Sequence, residues 1–302
     1  MSGATILNDA VRLGYPFRES LASLLPLVDE LVVNVGPGDD GTWEAVAAMR
    51  DERIKPFRSA WDLSPRGGAA LSEESNRALA RCGGDWVIYL QADEVLHEDD
   101  APALREALAR HLRRPTEGLV FDYLHFFASG HVVSDDWFAF YPRAVRAVKR
   151  ASGVESCGDA AGFVRRAGGR SRGLLKARAH ARVFHYGWCD TPELKAERAT
   201  ALTSFYRPPP KFEPEALIPR DLTTRRDLRY FRGTHPGPMR PRFAPEPAPA
   251  LARPFLLPGG LRAWARFLAS PVRTLYDARP FLPLWLTNLH WRLSDLRTPP
   301  RG

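Results

Sequence analysis

Residues 86–99 read WVIYLQADEVLHED. The run Trp86–Leu90 is apolar without polar alternation, the pattern of a strand covered on both faces. It then stops at Gln91, Asp93 and Glu94, three polar groups within four positions. A buried strand can end in carboxylates if they face a cleft and meet a partner that neutralises them. Asp93, Glu94, Asp99 and Asp100 can equally cap a helix, because acidic groups in a first turn complement the dipole.

The segments on either side decide the fold class. ATIL (4–7), DELVVNV (29–35), RIKPFR (53–58) and DWVIYL (85–90) read as strands. PFRESLASLLPL (16–27), GTWEAVAAM (41–49) with Thr42 as N-cap, LSEESNRALARC (71–82) opening at Ser72, and DDAPALREALARHL (99–112) read as helices between or after them. This βαβα rhythm predicts an α/β domain, Rossmann-like, with a mostly parallel sheet flanked by helices. After Pro115 the segments GLVFDYLHFF, WFAFYPRAVRAV and ARVFHYGW are strand-like with less helix between them, so the second half reads as α+β and completes the sheet.

The length of 302 residues suits one large domain or a domain with an appendage, and 44% apolar residues supply a sizeable core. Pro and Arg become dense from residue 206 onward, which divides the chain into a body, 1–206, and a Pro/Arg-rich and helical C-terminal extension, 207–302. The formal charge of +8 is uneven. Residues 207–302 hold 17 Arg and Lys against 7 Asp and Glu, a net of +10, and the first 206 residues are left at −2. The Arg excess suits phosphate contact by its forked geometry, or reflects G+C-rich codons. Trp264, Trp285 and Trp291 stand among Arg in the last 45 residues. Such a segment can brace the domain or lie on an anionic membrane.

Three cysteines, Cys82, Cys157 and Cys189, have no CxxC spacing and cannot all pair, which fits a reducing compartment. No basic n-region precedes an apolar stretch at the N-terminus, and no apolar run approaches the roughly 20 residues that span a bilayer. The expectation is a cytoplasmic protein, at most peripheral at the inner face of a membrane. A Gly-rich phosphate loop with Lys and a Gly-x-Ser-x-Gly elbow are both absent from the sequence. His180 and His185, five apart in a strand, point to opposite faces and do not make a two-His site. The basic tail has no recognisable nucleic-acid module, so no nucleic-acid partner is expected.

In an open parallel sheet, ligands bind beyond the carboxyl ends of the strands. The first strand deposits Asn8 and Asp9 there. The second deposits Asn34, then GPGDDGT with Asp39 and Asp40; the fourth deposits Gln91, Asp93 and Glu94. Clustered carboxylates without thiolates suit a hard cation, Mg²⁺ or Mn²⁺, beside a substrate phosphate.

Asp-x-Asp after an apolar strand is the signature of GT-A glycosyltransferases, and YLQADEVLHE resembles the DADE form of family 2 members. ATILND resembles that family's first strand, LVVNVGPGDDGT its VVDDGSxDGT segment, and Asn76 in SEESNRAL the Asn of its "ArN" helix. VFHYGW resembles a His-containing strand end of many relatives, and FRGTHPGPM a phrase from a bacterial subgroup. The likeness covers residues 4–190 in pattern and order. It implies transfer of a sugar, with inversion, from a UDP- or GDP-linked donor to a glycan or lipid-linked acceptor in bacterial surface glycan or glycolipid synthesis.

By the same resemblance Asp93 is a metal ligand and diphosphate contact, with Glu94 beside it. Asn34 and Asp40 line the nucleotide pocket, Asn8 or Asp9 lies near the base, and Asn76 lies near sugar or base. His185 is a further metal or diphosphate contact, or a histidine hydrogen-bonded at a strand end. Two departures stand out: Gln91 replaces the first Asp of Asp-x-Asp, and Asn34 the base-contacting Asp. Fewer carboxylates make a metal helpful without being strictly required, and leave room for a non-catalytic binding module. Inverting transfer needs a base for the acceptor proton. Asp159 in ESCGDAAGF is the candidate, as an alternative to a plain turn residue, with Glu155, Asp135 and Asp136 competing.

Overall fold

The computed structural model describes residues 1–62, 68–134, 140–203, 205, 218, 221–225, 227–243 and 249–251. The helical extension expected over the last 45 residues, with its three Trp, lies outside these, as do Asp135 and Asp136.

The first half follows the α/β reading closely. Strands β1 (Ser2–Leu7), β2 (Glu30–Val35), β3 (Ile54–Arg58) and β4 (Trp86–Tyr89) alternate with helices α1 (Phe17–Leu24), α2 (Thr42–Ala47) and α3 (Ala69–Arg81). They pair in parallel in the order β3-β2-β1-β4. β5 (Glu94–Leu96) and α4 (Ala101–Leu112) follow. The absence of polar alternation in β2 and β4 has the expected cause. Leu31, Val33, Trp86 and Ile88 face one core with Phe17, Leu21 and Leu24 of α1 and Leu104 and Leu108 of α4. Val32, Val87 and Tyr89 face the other core with Ala78 and Leu79 of α3. β4, and β2 over Leu31–Val33, are thus apolar at successive positions because both faces are covered.

Thr42 is not the N-cap of α2. That position is Gly41, at φ 86, and the Thr42 hydroxyl instead accepts the backbone N–H groups of Ala10 and Val11 at 2.9 and 3.1 Å.

The second half continues the same curled sheet. β6 (Gly118–Phe127), β7 (Ser129–Ser134) and β8 (Arg143–Lys149) join it antiparallel, β8 lying between β4 and β6. A small sheet of β9 (Val154–Cys157), β10 (Gly162–Ala167) and β11 (Arg170–Arg172) lies beside α3. The long β12 (Lys176–Trp188) pairs in parallel with β6 and antiparallel with β5, then leads to α5 (Pro192–Thr203). His180, at φ 55, sits where the β12 register shifts between Arg178 and Arg182. It is exposed while His185 is buried.

Beyond the boundary expected at residue 206, β13 (Leu228–Tyr230) hydrogen-bonds to β7 as an edge of the same sheet. Residues 231–243 strap across it: Thr234 Oγ1 meets His97 Nε2 at 3.0 Å, and His235 Nδ1 meets Tyr186 Oη at 2.9 Å. Gly237 N donates to Glu98 at 2.9 Å, and Met239 is buried against Phe126 and Phe184. The Pro and Arg density there marks a strap without regular periodicity, packed on the body by its apolar residues. Among the described residues, no helix is long and apolar enough to cross a membrane.

Candidate functional site

The strand order reverses at β1, with β2 and β3 on one side and β4 on the other. A crevice at such a switch point opens beyond the carboxyl ends of the two central strands. Here those ends are Asn8-Asp9 after β1 and Gln91-Ala92-Asp93 after β4.

The β1 loop is held from the β2 side. Asp40 Oδ2 accepts the N–H groups of Val11 and Arg12, each at 2.9 Å, and its Oδ1 accepts Thr42 N–H at 3.1 Å. Burial alone would raise the Asp40 carboxyl; the donors from Arg12, Thr42 and Val11 hold it below its ordinary value. The two loops pack so closely that a Cβ on Gly36 would overlap the amide of Asn8, and one on Gly38 the carboxylate of Asp9. Asp9 has φ 49 and accepts Arg12 Nη2 at 2.8 Å. Asp40 therefore acts as the clasp of the Asn8–Arg12 loop.

Two neighbours in sequence, Asp93 and Glu94, face different surroundings. Glu94 is fully buried and receives both Nε and Nη2 of Arg146 at 2.8 Å, Tyr123 Oη at 2.8 Å and Gln91 N–H at 3.0 Å. Arg146 is itself fully buried. Asp93 lies in the turn that the Glu94 N–H closes on the Gln91 carbonyl at 3.1 Å, and it stays partly exposed as Glu94 enters the core. Glu94, expected as a metal ligand, has both its oxygens in a bidentate pair with Arg146. The Gln91 carbonyl accepts Ser20 Oγ at 3.2 Å, so the backbone of this turn is pinned on both sides.

Asp93 Oδ2 lies 3.6 Å from His185 Nε2. His185 Nδ1 in turn lies 2.9 Å from Nδ1 of His125, whose Nε2 contacts the Tyr141 carbonyl at 2.8 Å. A carbonyl only accepts, so His125 carries its proton on Nε2 and offers a lone pair at Nδ1. His185 Nδ1 must then donate, and Nε2 is the ring atom left facing Asp93. Burial raises Asp93, yet the charges of His185, Arg198 and Lys195 together hold it well below the usual carboxylate range. Burial and the charge of His185 push His125 down to about 3.

Helix α5 adds a group that the sequence reading did not single out. Lys195 Nζ donates to the Gly187 carbonyl at 2.7 Å and lies 3.8 Å from the Trp188 ring centroid. A Cβ on Gly187 would stand 2.8 Å from His185 Nε2 and closer still to Asp93 Oδ2. Arg198, one turn on, donates to the carbonyls of Leu13 at 2.6 Å and Gly14 at 2.9 Å, and pairs with Asp190. Burial lowers Lys195 to about 8 against the pull of Asp93, and raises Asp190 to about 6 against Arg198 and Lys195. Burial also raises the phenol of Tyr15, whose ring lies 4.3 Å under Arg198. Their signal was present: Lys195 and Arg198 are three apart on a helix, hence on one face.

Two expected nucleotide contacts are engaged elsewhere. Asn34 is fully buried. Its amide donates to Glu74 O at 3.1 Å and Glu74 Oε2 at 2.9 Å, and its oxygen accepts Ser59 Oγ at 2.6 Å. Asn76 bonds the Ser156 backbone twice, at 3.1 and 2.7 Å, and staples α3 to β9. Both engagements have one cause: α3 packs against the sheet here, and its polar face meets protein. Asp159 lies half-buried in the turn between β9 and β10. Glu94, Asp93 and Asp159 all act on the buried Tyr141 phenol, which burial above all raises.

Mg²⁺ and Mn²⁺ require several hard oxygen ligands. Glu94 is taken by Arg146 and Asp190 by Arg198, which leaves Asp93 and one imidazole, with Lys195 and Arg198 nearby. Among the described residues, no group of three or more His, Cys, Asp and Glu can hold a metal. These donors do not by themselves form a dication seat.

No protein-family model matches the chain, and comparison with curated proteins finds no match. Among solved structures, S. aureus TarS 1-349 is similar at 12% identity, with 72% of this chain and 67% of that chain covered and a TM-score of 0.36. The same protein in complex with UDP-GlcNAc gives 16%, 72%, 69% and 0.36. S. aureus TarS gives 14% and 0.36, with 67% of this chain matched to 38% of that one. A likeness at these TM-scores carries no argument about residues or reaction.

Proposed function

We propose that this chain is a GT-A-type glycosyltransferase of the family 2 kind. It moves a sugar from a nucleoside diphosphate donor, UDP- or GDP-linked, to a hydroxyl of a glycan or lipid-linked acceptor, with inversion. One arrangement supports the reading above all. Asp93, at the carboxyl end of β4 beside the switch point, is ionised among His185, Lys195 and Arg198. A crevice with a carboxylate and several cations suits a polar, multiply charged ligand, and the switch point is where α/β sheets bind nucleotides. In the reaction the acceptor oxygen bonds to the anomeric carbon, and the bond from that carbon to the diphosphate oxygen breaks. The leaving diphosphate takes the electron pair and a carboxylate base takes the acceptor proton, a role assigned here to Asp159. The divalent cation expected from the sequence is an accessory in this reading. Asn8 and Asp9 are proposed to border the base, and a bacterial surface glycan is the proposed product class.

A second reading, a GT-A-shaped module that binds a nucleotide without turnover, is favoured by the structural engagement of Asn34, Asn76 and Glu94. Calorimetric titration of UDP and GDP into wild type and Asp93→Ala, with and without Mn²⁺, tests the site. Binding of one nucleotide that the substitution removes supports it, and equal binding by both proteins overturns it. Release of nucleoside diphosphate from a panel of donor sugars separates enzyme from module.

A further inference from the structure

The residue bordering the Asp93–His185 pair is Gly187, and its carbonyl carries an ammonium. Lys195 Nζ donates to it at 2.7 Å and packs 3.8 Å from the Trp188 ring centroid. An ammonium has three donors. Among the described residues only one of these, to Gly187, meets a protein acceptor. Arg198 on the same helix face is different. Each of its three nitrogens already holds an acceptor, at Leu13, Asp190 and Gly14, so it fixes α5 against the β1 loop. Three of its five N–H groups are thus engaged, against one of three on Lys195. Arg198 is a positioning residue, and Lys195 is the cation whose donors are mostly left to a ligand.

The carboxylates nearby are similarly distributed. Asp190 is paired with Arg198, Glu94 with Arg146, and Asp93 faces His185. The departing diphosphate gains negative charge, and a cation held at that point before the reaction stabilises it without reorganisation. The donor set does not form a seat for a dication, yet a cation with unused donors stands beside Asp93.

We propose that Lys195 binds the diphosphate of the donor, donating to the oxygen that becomes the leaving group, so that donor binding does not depend on a divalent cation. This assignment rests on the glycosyltransferase reading. It adds that the specificity determinant for a diphosphate over a monophosphate is a helix-borne ammonium. Trp188 and the Gly187 carbonyl hold the ammonium in place so that little side-chain freedom remains to be lost on binding.

The test is titration of UDP, UMP, GDP and GMP in EDTA into wild type, Lys195→Met and Lys195→Arg. Wild type is expected to prefer one diphosphate over its monophosphate by about ten- to a hundredfold, the worth of one charge-assisted hydrogen bond. Lys195→Met should lose that preference and keep its monophosphate affinity, and Lys195→Arg should retain most of it. A preference that survives intact in Lys195→Met, or that wild type shows only with Mn²⁺, overturns the assignment and leaves the donor reading standing. Failure of wild type to bind any of the four, with Mn²⁺ or without, overturns both. Thermal melting of the variants identifies a folding defect, and Lys195→Arg then carries the test.

Discussion

The Nδ1 atoms of His125 and His185 lie 2.9 Å apart, and the Tyr141 carbonyl decides which of them holds the proton. His125 Nε2 must donate to that carbonyl, so His185 Nδ1 donates to His125 and His185 Nε2 is turned to Asp93. Nitrogen-15 spectra of the imidazoles should show His125 as the neutral Nε2–H tautomer at pH 7. A proton on His125 Nδ1 would reverse the chain and free His185 from the orientation described.

The same pair sets a pH dependence. His125 falls from 6.5 to about 3 because burial disfavours its charged form, and His235 falls to about 4 for the same first reason. Between those values and 6.5 the unfolded chain binds more protons than the folded one, so stability rises with pH across that window and is lost as pH falls through it. The expected slope is about 1.4 kcal/mol per pH unit for each histidine. Urea melts from pH 4 to 7 measure it, and His125→Gln should remove one histidine's share. An unchanged slope in that variant would mean that His125 is not buried neutral.

Much of this arrangement was legible in the sequence, and the reasons for the rest are physical. The apolar runs of β2 and β4 specified strands covered on both faces, and their polar ends located the crevice. Asp93 lies in a turn ahead of β5, so strand parity does not assign Glu94 a face. The buried partner of Glu94, Arg146, stands 52 positions away, and no local pattern joins them. His125 and His185 are 60 apart and meet only because β6 and β12 pair in register. Asn34 and Asn76 lie in motif-like segments that point to ligand groups; which polar residues an α3 packed on the sheet will consume depends on tertiary packing.

Glu94→Gln should act on stability and not on metal affinity. The substitution leaves Arg146 as an unpaired charge in the core, which costs about 3–5 kcal/mol in comparable buried pairs. The double change Glu94→Gln with Arg146→Met should recover part of that loss. Denaturant melts of the two proteins decide it. A Glu94→Gln protein that melts like wild type and yet loses Mn²⁺-assisted nucleotide binding would restore Glu94 as a ligand.

Asn34→Asp, which reinstates the carboxylate that the family pattern carries, should weaken the fold. The new acid would face Glu74 Oε2, 2.9 Å from the present amide, and lose two donated hydrogen bonds. A cost of about 1–3 kcal/mol is expected for the buried groups left unsatisfied. Selectivity between UDP and GDP should not change. A shift in that selectivity with unaltered stability would show that residue 34 reads the base.

Gly187→Ala tests how tightly the site is drawn together. A Cβ there meets His185 Nε2 at 2.8 Å and the Asp93 carboxylate more closely, so one of the three must move. Overpacking of this kind costs about 1–3 kcal/mol, and the displaced groups are those proposed to hold the donor. Diphosphate affinity should fall by about tenfold or more, as one charge-assisted contact is worth. Unaltered affinity in a folded variant would remove Asp93 and His185 from the donor site.

Two carboxylates are candidates for the proposed base, and their surroundings predict different phenotypes. Asp190, raised to about 6 chiefly by burial, has a value suited to a base, but it is paired with Arg198, which ties α5 to the β1 loop. Asp190→Asn should therefore loosen α5, lowering both stability and nucleotide binding. Asp159 lies in a turn of the small sheet and acts on Tyr141 as Asp93 does. Asp159→Asn should leave nucleotide titrations unchanged and slow sugar transfer by about 10²–10⁴, because an amide cannot take the proton. Diphosphate release from the donor in the presence of acceptor is the readout. Transfer at the wild-type rate by Asp159→Asn would place the base elsewhere, and loss of nucleotide binding in that variant would show Asp159 to be part of the donor site.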